Sequence, residues 1–95
     1  MENTITKEKL EKYSDITSRA LLMAKGSVTT GRENEAKEII EMVKNYLSDA
    51  RYFQENNNFV NAFAALNYAH GWLDSGARLK IFDVNDNTLF TVDSD

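Results

Sequence analysis

His70, Asp74 and Arg78 stand four residues apart in the stretch NYAHGWLDSGAR, with Asn67 one turn before His70. On a helix that spacing stacks the side chains along one face. A carboxylate placed there can orient an imidazole for acid–base work or share a metal ion with it. The same spacing also describes a histidine at a helix edge with Asp74 and Arg78 paired at i,i+4. One His and one Asp are too few ligands for a protein-held zinc site unless another helix contributes. The structural ladder is the expectation; an enzyme or metal-binding site on His70, Asp74 and Arg78 is the alternative. Neither a cofactor nor a bound metal is expected.

Two other stretches graze known ligand loops. GSVTTGRE at 26–33 approaches the phosphate-loop pattern, but Arg32 replaces the lysine and Glu33 the Mg²⁺-binding hydroxyl. A carboxylate there repels phosphate, so this reads as a connection between helices. DVNDNTLFTVDS at 83–94 supplies Asp83, Asn85 and Asn87 at the first calcium-loop positions. Thr88 then stands where glycine is required and Ser94 where a bidentate Glu is required. A polar turn is the better account.

The elements that position these residues follow from bulk properties and periodicity. Ninety-five residues with 42% hydrophobic and 27% charged side chains describe one globular domain of modest core. The absence of cysteine excludes disulfides and thiolate metal sites. No stretch resembles a signal peptide or a membrane span, so a cytoplasmic protein without membrane association is expected. The net charge is −4, and the aspartates from Asp83 onward carry the whole imbalance. Such a chain lacks the cationic surface of a nucleic-acid binder. The aromatics Tyr46, Phe53, Phe59, Phe63 and Trp72 stand at core spacing without interleaved Lys or Arg, unlike a base-stacking platform.

Three helices are predicted. Thr6 caps the first, whose stripe is Leu10, Tyr13, Thr17, Ala20, Leu21, Ala24 and Val28, widened by Ile16 and Met23. Gly26 is expected just past its end in the left-handed region. Leu22 falls off the stripe, either exposed or touching something outside the bundle. Thr30 and Glu33 form a capping box for the second helix, which repeats Ala36, Ile39, Ile40, Val43, Tyr46, Leu47, Ala50 and Phe53. Asn56, Asn57 and Asn58 make a tight turn, with Asn58 capping the third helix.

So short a turn makes the flanking helices antiparallel neighbours, with Phe53 near Ala62, Tyr46 near Ala69 and Ile39 near Gly76. The third helix has an apolar arc running from Leu79, Trp72 and Ala65 through Ala69, Ala62, Leu73 and Leu66 to Phe59, Phe63 and Ile81. That arc needs two neighbours. The expected fold is all-α: an up-down-up three-helix bundle over residues 1–84 with a short extended C-terminal tail. Residues 85–95 form that acidic tail. Strand-like runs at 81–84 and 88–92 around Asn85-Asp86-Asn87 predict a short strand or hairpin, packed on the bundle through Leu89, Phe90 and Val92 or on a partner. Residues 1–5 are expected to be frayed and residues 93–95 disordered.

The back of the third helix should carry Lys and Glu if it faced only water. Instead it carries Val60, Ala64, Tyr68, Gly71, Ser75 and Phe82. A glycine in a helix interior costs ~1 kcal/mol against alanine. Something is therefore expected to lie on this face, either the chain's own tail or a protein partner, most simply a second copy in a homodimer.

The segment NAFAALNYAHGWLDSGARLKIFDV, with YLSDARYFQENNNF before it, resembles a small archaeal family, domain of unknown function 357. The resemblance spans about residues 5–84 and implies a small left-handed up-and-down three-helix bundle, with no activity attached. Members tend to have glycine where Asn57 stands. YFQENNNFVNAFAALNYA is more faintly similar to a tetratricopeptide hairpin, but one unit cannot make a solenoid. The leading expectation is a non-enzymatic helical protein–protein interaction module.

Overall fold

The computed structural model describes residues 4–90. It is an up-down-up bundle of α1 (Lys7–Lys25), α2 (Glu33–Glu55) and α3 (Phe59–Arg78). α3 packs on both other helices, most extensively on α2, whereas α1 and α2 scarcely meet. That follows from sequence, because only α3 has an apolar arc wide enough for two partners. Expectations for residues 1–3 and 91–95, including Val92, lie outside the described residues. Ile5, in the stretch expected to be frayed, is partly buried against the apolar cluster at one end of the bundle.

The core has two clusters. One gathers Leu10, Ala50, Ala62, Ala65 and Leu66, with Phe53, Phe59 and Phe63 at its margin. The other joins Ala20, Ala24, Ala36, Ile39, Val43, Ala69, Leu73 and Ala77 to tail residues. Leu47 packs against both. Leu22 is exposed, as its off-stripe position implies, and Leu79, placed on the apolar arc by periodicity, is exposed as well. Leu79 is the C-cap of α3, so the chain departs from helical geometry there.

Local chemistry explains the helix ends. The Thr6 hydroxyl accepts from the Lys9 N–H, and the Asn58 side chain accepts from the Asn61 N–H. α2 ends in a Schellman motif: Asn58 N–H donates to Phe53 O and Asn57 N–H to Gln54 O, with Asn57 at φ 60°. α3 ends the same way. Ile81 N–H donates to Gly76 O, Lys80 N–H to Ala77 O, and Lys80 takes φ 63°.

Two expected caps differ. Gly26 has φ −88°, not a left-handed value, because the chain leaves α1 directly into an extended segment. The Thr30–Glu33 capping box is absent: the N-cap of α2 is Arg32, so Thr30 lies too early. Glu33 instead folds back to accept from the Gly31 N–H. Its own N–H and that of Gly31 hold its carboxyl below the usual carboxylate range.

The tail folds onto its own bundle. Val28 and Phe82 form an isolated antiparallel bridge. Around it, Thr29 N–H donates to Ile81 O at 2.9 Å, Asp83 N–H to Ser27 O at 2.7 Å, and the Thr29 hydroxyl to Lys80 O at 2.6 Å. Ile81, Phe82, Val84, Leu89 and Phe90 are all buried. The expected hairpin does not form among the described residues. Asp86 instead closes a single turn, its carboxylate accepting from the N–H groups of Thr88 and Leu89 and from the Thr88 hydroxyl. The Asp86 carbonyl accepts from Phe90 N–H. This turn delivers Leu89 and Phe90 together to the core, which alternating strand geometry would not do.

Candidate functional site

Two surfaces of α3 gather the residues singled out by sequence. The first is a cleft of about 380 Å³ between α1 and α3, beside the tail turn. Asn67, His70, Gly71 and Asp74 of α3 face Tyr13, Ile16 and Thr17 of α1 across it, with Thr88 at one end. Edge-to-face packing of Tyr13 on Phe63, centroids 5.3 Å apart, fixes its aromatic wall.

His70 is held on both sides. Its Nδ1 shares a hydrogen bond of 3.1 Å with Thr17 Oγ1, and its Nε2 lies 3.8 Å from Asp74 Oδ1. A carboxylate facing Nε2 favours the tautomer that carries its proton there, which makes Nδ1 the acceptor of the Thr17 hydroxyl. Hydroxyl, imidazole and carboxylate thus stand in the order of a nucleophilic triad. Thr17 is only 2% exposed, however, and an oxygen so enclosed gives a substrate carbonyl no approach. The arrangement orients an imidazole more than it activates an alcohol.

Arg78 does not join this group; it is exposed and outside the cleft lining. Sequence reasoning placed Thr17 only on a packing stripe and did not bring Tyr13 or Thr88 to His70. Among the described residues no three His, Asp or Glu side chains converge to hold a metal ion.

The second surface is the outward face of α3. Val60, Tyr68, Gly71 and Ser75 are exposed along it and Ala64 is half-buried. Trp72 and Leu79 extend the same strip, both placed by periodicity in the apolar arc yet 39% and 61% exposed. Phe82 does not belong to this surface. It is fully buried, its ring in the space beside Gly76, because the left-handed turn at Lys80 reverses the chain before the strip can continue.

Tyr68 stacks on Tyr46 of α2, centroids 5.5 Å apart and planes 25° from parallel, so its ring stands at a fixed angle. Beside it Asn67, Tyr68, Gly71, Trp72 and Ser75 line a shallow recess of about 350 Å³. No charged side chain of α3 belongs to the strip from Val60 to Ser75; Asp74, the one Asp or Glu of this helix, lines the cleft. The two glycines of α3 differ sharply. A Cβ at Gly76 would collide with Phe82, whereas a Cβ at Gly71 would have nothing within 4 Å.

No helix among the described residues is long and apolar enough to cross a membrane. Residues 12–82 match the model of a family described as protein of unknown function (DUF357). The chain belongs to that family. No curated protein and no solved structure is a significant match to this chain.

Proposed function

We propose that this DUF357 member is a non-enzymatic helical interaction module whose contact surface is the outward face of α3. The observation that carries this reading is Gly71. Inside a helix it costs ~1 kcal/mol against alanine, and no neighbour in the fold requires the missing side chain. A surface approached closely from outside does require it. Exposed Val60, Tyr68 and Leu79 on the same face support the reading, because isolated apolar side chains are ordinary but an uncharged strip of them marks a contact.

The test is Gly71→Arg, a long cation placed in the middle of the strip. Helicity should be kept and the isolated chain should be no less stable than the parent, while solution mass or partner binding changes. Unchanged mass and unchanged binding would overturn the proposal.

A second reading, a small polar or metal ligand in the α1–α3 cleft, is favoured by His70 Nε2 and the Asp74 carboxylate facing the same space. It predicts that Zn²⁺ shifts the His70 ring resonances at modest concentration and that His70→Ala abolishes the shift with the fold intact. Absence of any shift in the parent chain would end it.

A further inference from the structure

We infer that the occupant of the α3 strip is a second copy of this chain, lying antiparallel about a twofold axis that passes between Gly71 and Trp72. The inference rests on the interaction-module reading and names its partner. Its ground is a self-complementary order of sizes along one helix.

An antiparallel twofold contact pairs positions equidistant from its axis. With the axis between residues 71 and 72, Trp72 meets Gly71 of the other copy, Tyr68 meets Ser75, and Leu79 meets Ala64. At ~1.5 Å rise per residue, these pairs lie about 1, 5 and 11 Å from the axis on each side. Every pair sets a large side chain against a small one, which lets helix axes approach and side chains interlock. The recess beside Gly71 is lined by Asn67, Tyr68, Trp72 and Ser75, so the hole and the indole that fills it are adjacent on one surface. Tyr68, already stacked on Tyr46, enters the contact with little rotamer freedom left to lose.

Charge agrees. A chain of net charge −4 meets its own copy with least like-charge repulsion where the contact is uncharged, as the strip is from Val60 to Ser75. The one charge beside it, Arg78 next to Leu79, is a cation at its end. A basic partner, the usual complement of an acidic protein, would find no carboxylate in the strip to pair with.

The test is a swap on the full-length chain, followed by sedimentation equilibrium from about 10 µM to about 1 mM, the range suited to a single helix–helix contact. The parent should show a monomer–dimer equilibrium. Ser75→Tyr sets tyrosine against tyrosine and Tyr68→Ser leaves a hole, so each alone should weaken the dimer by roughly tenfold or more. The double variant Tyr68→Ser with Ser75→Tyr restores large against small at both symmetric sites and should recover dimerisation to within a few fold. Tyr52→Ser, on an exposed tyrosine of α2, should leave the equilibrium unchanged.

Circular dichroism on each variant confirms the fold, since both positions are solvent-exposed. A parent that stays monomeric throughout overturns the second copy. It does so independently of the module reading, which falls only if Gly71→Arg changes no partner binding either. A dimer that the single variants do not weaken, or that the swap does not restore, overturns the pairing.

Discussion

The ring of Phe82 occupies the space that a side chain at Gly76 would need: a Cβ there would fall 2.5 Å from Cε2 and 2.6 Å from Cδ2, with Ile39 Cδ1 at 3.2 Å. Phe82 cannot easily withdraw, because its N–H donates to Gly76 O at 3.2 Å and the bridge to Val28 holds its backbone. Gly76→Ala should therefore destabilise the chain by about 1–3 kcal/mol despite alanine's better helix propensity. Urea unfolding measures it, and adding Phe82→Leu to Gly76→Ala should cost less than the two changes made separately.

Five residues earlier the same substitution should have the opposite sign. A Cβ at Gly71 meets open space, so Gly71→Ala should stabilise the isolated bundle by up to about 1 kcal/mol. The comparison is made by urea unfolding at low protein concentration, where association does not contribute. A loss of stability there would mean that Gly71 is required by the fold itself.

Lys80 stands at φ 63° in the Schellman turn after α3, a conformation that costs a side-chain-bearing residue roughly 1–2 kcal/mol. Lys80→Gly should raise stability by about 1 kcal/mol, read as a higher urea midpoint at unchanged slope. Only the Lys80 backbone is used, its carbonyl accepting from the Thr29 hydroxyl, and glycine keeps that bond.

Thr17→Val preserves shape but removes the hydroxyl bonded to His70 Nδ1, leaving that nitrogen half-buried beside an apolar methyl. A loss of about 1–2 kcal/mol is expected. Thr17→Ser, which keeps the oxygen, should recover much of it, and the His70 ring resonances should move only in the valine variant.

The Asp86 carboxyl lies below the usual aspartate range. The Thr88 hydroxyl is the largest cause, helped by the Thr88 and Leu89 N–H groups and the charge of Arg19. A depressed carboxyl contributes stability that is present above the ordinary value of 3.8 and lost as pH falls through the lowered one. Amide protection at Thr88 and Leu89 should hold down to pH 4 and decline below 3.8, ahead of the helices. Asp86→Asn should flatten that dependence.

The helices were legible because their signals are local and repeated. The Thr6 and Asn58 caps, the turn at Asn57 and the closeness of Ile39 to Gly76 all follow from spacing and side-chain chemistry. The start of α2 was misplaced for a tertiary reason. Thr29, not Thr30, turns its hydroxyl to the end of α3, and Arg32 reaches both Glu35 and Leu79 O. The tail reads as strand because Leu89 and Phe90 are apolar neighbours; the bonds that Asp86 makes to Thr88 and Leu89 decide for a turn. On α3, Asn67, His70 and Asp74 share a face as their spacing says. Thr17 and Thr88 reach the same cleft from distant parts of the chain, and no periodicity records that.

The bridge between Val28 and Phe82 joins residues more than fifty positions apart, tying the α1–α2 connection to the exit of α3. A chain emerging from the ribosome can zip α2 against α3 and lay α1 on α3 once α3 is complete, but the α1–α2 connection is not tied down until residues 81–83 have been translated. Until then the space beside Gly76 and Ile39 that Phe82 fills stands open to water, and the closing stitch completes a core that the helices only begin.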